Sequence, residues 1–249
     1  MAKLRSLIKI EGTLDDLTFY KTKEGYLIRT KGGVSKNRIA SDPAFARTRE
    51  NNAEFGHSAT AGKILRRAIL DMINDAKDPR VASRLTTVMS KVKNLDTVSQ
   101  RGKRNVTQGL LSAEGKSLLK GFDFNNRAVL TSVLLKEPVL DTATAEVQLQ
   151  AFNPSVHVDV PQGATHIVLT AGVVAIDFQE GNSELVTSNA LTIPITNTET
   201  DVVLTPASVP TITGPKMYLF KVAFLQEVNA DLYVLNNGAF NVLNILEVA

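Results

Sequence analysis

The chain has 249 residues, 43% apolar and 21% charged, with a mean hydropathy of −0.01, the make-up of a globular protein of one large or two ordinary domains. With no cysteine, disulfides, iron–sulfur clusters, thiolate zinc sites and cysteine nucleophiles are excluded. The net charge of +3 hides a division: residues 1–127 carry 25 Lys and Arg against 13 Asp and Glu (+12), whereas residues 128–249 carry 3 against 12 (−9).

Such segregation predicts two parts, a basic N-terminal region at 1–127 and an acidic domain at 128–249. The first residues lack the apolar core of an export signal, and no run of about 18 apolar residues exists, so no transmembrane segment is expected. The default location is cytoplasmic, with a surface or extracellular one left open.

Residues 3–31 read as a small β-meander. Leu4, Leu7, Ile8 and Ile10 lead to a turn at 12–16, then Leu17, Phe19 and Tyr20, a tight turn at 23–25, and Tyr26 and Ile28 before Gly32 and Gly33. A ribbon of two or three strands is barely stable alone. Residues 34–60 are polar and read as an arm, with a short helix starting at Asp42-Pro43. Ile64, Leu65, Ala68, Ile69, Met72, Ile73 and Ala76 form one helical stripe, and Val81, Leu85, Val88, Val92 and Leu95 form a second after Asp78-Pro79. Together they predict a helical hairpin. A weaker helix spans 110–119, and 100–105 is a basic loop.

From about 128 the pattern alternates with period two. Eight or nine strands are expected, including 147–151, 156–160, 167–178, 185–195, 202–204, 217–225, 232–235 and 240–248, punctuated by Gly, Pro and Asn turns. The fold class is therefore α+β: an N-terminal ribbon and helical hairpin followed by an antiparallel β-sandwich, Ig-like or jelly-roll.

Few residues carry recognisable chemistry. His157 and Asp159 share a strand face in this reading, and His166 follows a turn, but the spacing is no known metal pattern. The stretch from Gly56 to Ile64 has five residues between its glycines, not four, and Ile follows its Lys, so it is not a phosphate loop. No nucleophile elbow or zinc-protease motif occurs. No catalytic residue, metal, cofactor or small-molecule substrate is expected.

The segment at 8–56 resembles the start of a family of uncharacterised bacterial proteins of similar length. The matching residues are 8–12, 17–20, 29–33 and 42–49, and the resemblance is strongest over the first 75 residues. It implies no activity, cofactor or partner.

The leading expectation is a non-enzymatic structural protein that assembles into a homo-oligomer or filament. Its complementary halves would dock head to tail. An N-terminal strand or arm carrying Leu4, Ile8, Leu17, Phe19, Tyr26 and Ile28 would join neighbours. The alternative is a nucleic-acid-associated protein. Its basic surface would comprise Arg29, Lys31, Arg47, Arg49, Arg66, Arg67, Arg80, Arg84, Arg101, Lys103 and Arg104, neutralising backbone phosphates.

Overall fold

The structure, a computed structural model, describes residues 2–3, 10–23, 25–30 and 32–249. It divides into two compact units, Met1–Arg49 and Glu50–Ala249. The division expected at 127/128 is not where they part.

In the first unit, β1 (Ala2–Lys3), β2 (Gly12–Leu14), β3 (Leu17–Thr22) and β4 (Gly25–Thr30) form an antiparallel sheet in the order β1-β4-β3-β2. Leu14 pairs with Leu17, so Asp15 and Asp16 alone make the β2–β3 turn. Asp15 sits at φ 47°, a left-handed conformation that Asp tolerates in such turns. Gly12, expected in a turn, instead pairs with Phe19 within β2. Leu4, Leu7 and Ile8 lie outside the described residues.

The polar segment at 34–60 is helical and not an extended arm. Ser35 caps α1 (Lys36–Ser41) by accepting from the Arg38 amide, and Asp42 accepts from the Ala44 amide to start a 3-10 turn at Pro43–Phe45. Arg49 donates to the carbonyls of Ile39 and Asp42 at 2.8 and 2.9 Å. A 23-residue helix, α2 (Ala46–Ala68), follows, and the boundary between the units falls within it. At about 1.5 Å per residue a helix covers less than half the length of an extended chain.

The second unit continues with α3 (Leu70–Ile73), α4 (Val81–Asn94), α5 (Val106–Gly109), α6 (Ala113–Leu119) and α7 (Leu130–Val133). The two predicted stripes meet in one core that holds Leu65, Ile69, Met72, Leu85, Met89 and Val92. Gly109 lets α5 approach α4: a Cβ there would lie 2.1 Å from the Val92 carbonyl oxygen.

The β-rich part comprises β5 (Val139–Asp141), β6 (Glu146–Phe152), α8 (Pro154–His157), β7 (His166–Ile176), β8 (Ser183–Thr187), β9 (Leu191–Pro194), β10 (Thr200–Leu204), β11 (Lys216–Val228), β12 (Asp231–Val234) and β13 (Val242–Val248). A curled six-stranded sheet is built on the β7–β11 pair, which runs from His166 opposite Leu225 to Ala175 opposite Lys216. β8 and β9 pair with β7, while β12 and β13 pair with β11. A separate three-stranded sheet has the order β10-β6-β5.

Alternation in β7 and β11 buries both faces. Val174, Ile176, Met217 and Leu219 join the helical core, while Ile167, Leu169, Phe220 and Phe224 join a second core with Val147, Leu149, Val202 and Leu204. The helices of 50–127 thus share a core with the strands. The expected strand at 156–160 is absent: Asn153 caps Pro154–His157 as a helical turn, and only Val158 forms an isolated bridge, to Leu134. Residues beyond 128 therefore include the short helices α7 and α8 as well as strands. The fold is α+β.

Candidate functional site

The N-terminal sheet has one apolar face. Directly opposed residues of antiparallel strands lie on the same side. Leu14 opposes Leu17, Phe19 opposes Ile28 and Lys21 opposes Tyr26, which places Leu14, Leu17, Phe19, Tyr26 and Ile28 together. The other face carries Thr13, Thr18, Thr22, Tyr20, Leu27 and Arg29. The hydroxyls of Thr13 and Thr18 lie 3.2 Å apart, and the Arg29 guanidinium stands 5.3 Å from the Tyr20 ring centre.

No described residue of 10–49 is buried. Leu14 and Leu17 are 62% and 44% exposed, and Phe19 and Ile28 are half-buried. Four of the six residues expected to carry assembly, Leu17, Phe19, Tyr26 and Ile28, thus share one face. Leu4 and Ile8 lie outside the described residues.

The expected basic surface separates into engaged and open side chains. Arg84 donates to Asp78 and to the carbonyls of Asp123 and Phe124, and it stacks on Phe122. Arg104 grips Glu54 with two hydrogen bonds, at 2.8 and 2.7 Å. Arg101 pairs with Glu50 at 3.1 Å. Arg49 ties the first unit together, as above. Arg49, Arg84 and Arg104 are thus engaged within the fold, whereas Arg101 stays half-exposed in its pair with Glu50. Arg47, Arg67, Arg80 and Lys103 are exposed, and Arg66 is half-buried. Lys31 lies outside the described residues.

Sequence reading missed the polar cluster around Glu54. This carboxylate is 1% exposed and accepts from Arg104, from Lys93 at 2.5 Å and from the Gly102 amide at 2.7 Å. The Arg104 guanidinium, helped by Lys93 and Gly102, overcomes burial and holds the Glu54 carboxyl at about 2. Burial pushes the Asp78 carboxyl up, yet hydrogen bonds from Arg84 and the Asn126 and Arg80 amides hold it below its ordinary value. A usable signal existed: counting back from Leu65 along the buried stripe of α2 reaches Ala61, Ser58 and Glu54.

The histidines do not converge with Asp159. His157 accepts the Asn153 amide through Nδ1 at 3.0 Å, while His166 sits 3.0 Å from the Thr165 hydroxyl. Among the described residues no three His, Asp or Glu side chains gather in metal-binding geometry. The stretch at 56–64 lies inside α2, where Gly62 packs on Leu85. A groove of about 510 Å³ is lined by Leu130, Leu134, Leu135 and Leu140, with Lys120 and Glu247 paired at 2.6 Å beside it. No helix among the described residues is long and apolar enough to cross a membrane.

Comparison with protein-family models, curated proteins and solved structures finds no match to this chain.

Proposed function

We propose that this is a non-enzymatic structural protein that assembles with copies of itself through the apolar face of its N-terminal sheet. The observation that carries this reading is the open face at Leu14, Leu17, Phe19 and Ile28, with no described residue of 10–49 buried. A sheet stable in water needs a covered apolar face, and contiguous exposed apolar surface marks an interaction site.

The occupant is a second copy. The unit at 1–49 carries 11 Lys and Arg against 5 Asp and Glu, and residues 128–249 carry 3 against 12, so one copy's sheet is drawn to another's strands. Such a contact is head to tail and propagates into a ring or filament. The strands offer a sandwich-like surface for it, a reading supported by the core that β6 and β10 share with β7 and β11. Binding of nucleic acid through the basic loop at 100–105 is the weaker reading, because Arg101 and Arg104 are held by Glu50 and Glu54.

Light scattering on the full chain tests the proposal. The protein is expected to be oligomeric at low salt and smaller at about 0.5 M salt, where charge is screened within a few ångströms. Leu17→Glu combined with Phe19→Glu is expected to give a monomer with an unchanged circular dichroism spectrum. A monomeric native protein, or a double variant that keeps the native assembly size, overturns it.

A further inference from the structure

We propose that the cleft where α2 ends and α4 begins binds a phosphate-type oxyanion. Its volume is about 270 Å³, and four cations line it: Lys63, Arg66, Arg67 and Lys77. Leu70, Ile73 and Val81 supply apolar wall between them.

The arrangement follows from local geometry. Lys63, Arg66 and Arg67 stand at i, i+3 and i+4 in the last turns of α2, so they share one helix face and repel. The negative end of the helix dipole accounts for cations in that last turn. It does not account for Lys77, which the chain brings to the same cleft from beyond α3.

None of the four forms an ion pair with any described residue. The nearby carboxylates are committed elsewhere. Asp75 binds Lys221 at 2.5 Å and Asn241 at 3.3 Å, and Asp78 binds Arg84. Asp71, exposed on α3, makes no ion pair with the four. The Arg66 Nε–H is shielded from solvent and meets no acceptor. A buried donor is normally satisfied, and a doubly charged oxyanion supplies several acceptor sites to a guanidinium and an ammonium at once.

The ligand chemistry is a phosphate group, carried either by a small free phosphate or by a nucleic-acid backbone. Isothermal titration of the full chain at low salt, with pyrophosphate in one arm and a short DNA duplex in the other, separates these sources. Saturable 1:1 binding of pyrophosphate alone identifies a free phosphate. Binding of both, with affinity for the duplex falling steeply with salt, identifies the backbone.

In either case Arg66→Gln with Arg67→Gln is expected to weaken binding by about tenfold or more. The exposed change Lys77→Gln, which leaves the helix stripe untouched, should weaken it by a smaller factor, and Lys91→Gln on α4 should leave it unchanged. No binding of either probe overturns the proposal. So does binding that the Lys77→Gln and Arg66→Gln/Arg67→Gln proteins retain in full, or that Lys91→Gln weakens equally.

Discussion

Two antiparallel pairs in this molecule, β3–β4 and β7–β11, are built by the same local rule and reach different states. Each alternates along its strands, and each carries aromatic residues mid-strand: Phe19 and Tyr20 in one, Tyr218 and Phe220 in the other. The β7–β11 pair is covered by helices on one face and by β6 and β10 on the other, so Phe220 is fully buried. Phe19 is half-buried, and no described residue of 10–49 is buried. Alternation along a strand is thus a local property, whereas the stability of a sheet depends on what covers it.

The sharpest way to break that contrast is to remove one ring from each sheet and measure urea unfolding by far-ultraviolet circular dichroism. Phe220→Ala is expected to cost about 3–5 kcal/mol, because it leaves a cavity between two layers.

Next comes the polar cluster that ties α2 to α4 and the loop after it. Glu54→Gln is expected to cost about 3 kcal/mol near neutral pH, the range for breaking a buried ion pair, because it leaves the Lys93 ammonium buried without its carboxylate. Because the folded-state pKa is depressed, this contribution is fully present above about 4.5 and is lost as pH falls toward about 2. The native protein should therefore lose stability through that window on an acid titration, and the Glu54→Gln protein should lose less.

Gly109→Ala should cost about 1–3 kcal/mol, since the new methyl meets the Val92 carbonyl and two helices must separate. A thermal melt at fixed protein concentration reads it.

The smallest effect is expected for Phe19→Ala: less than about 0.5 kcal/mol in urea unfolding of the monomer, the range of an ordinary surface change. A cost comparable to that of Phe220→Ala would mean that the N-terminal face is already covered within one chain, and the contrast would fail.

Much of the second unit was legible in the chain. The stripes at Leu65, Ile69, Met72 and at Leu85, Val92 appear as read, because helical period is written in side-chain spacing. Most strands after 138 also fall where alternation placed them. The misreadings share a cause. At 34–60 apolar anchors are sparse, and the helix there rests on the Ser35 and Asp42 caps and on Arg49 bonding back to Ile39 and Asp42. At 156–160 the alternating valines imitate a strand, while Asn153 and Pro154 start a helical turn.

For the candidate site, Leu17, Phe19, Tyr26 and Ile28 were identifiable as residues needing cover, since alternation in two hairpin strands places them on one side. That none of the described residues of 10–49 is buried was not, because burial depends on distant segments. The same holds for the charges. Arg66 and Arg84 look alike as residues, yet one lines an uncompensated cleft and the other is gripped by Asp78.

The sequence by itself determined the two helical stripes and most of the strands after 138, how charge divides between the halves, and that cysteine chemistry is absent, because composition and periodicity are properties of neighbours along the chain. Only the tertiary structure decided that the helices and the six-stranded sheet share one core, that Glu54 draws Lys93 and Arg104 together, and which cations stay unpaired. The pairing of Glu54 with Lys93 and Arg104 rests on contacts between residues 39 and 50 positions apart, and no local pattern encodes it.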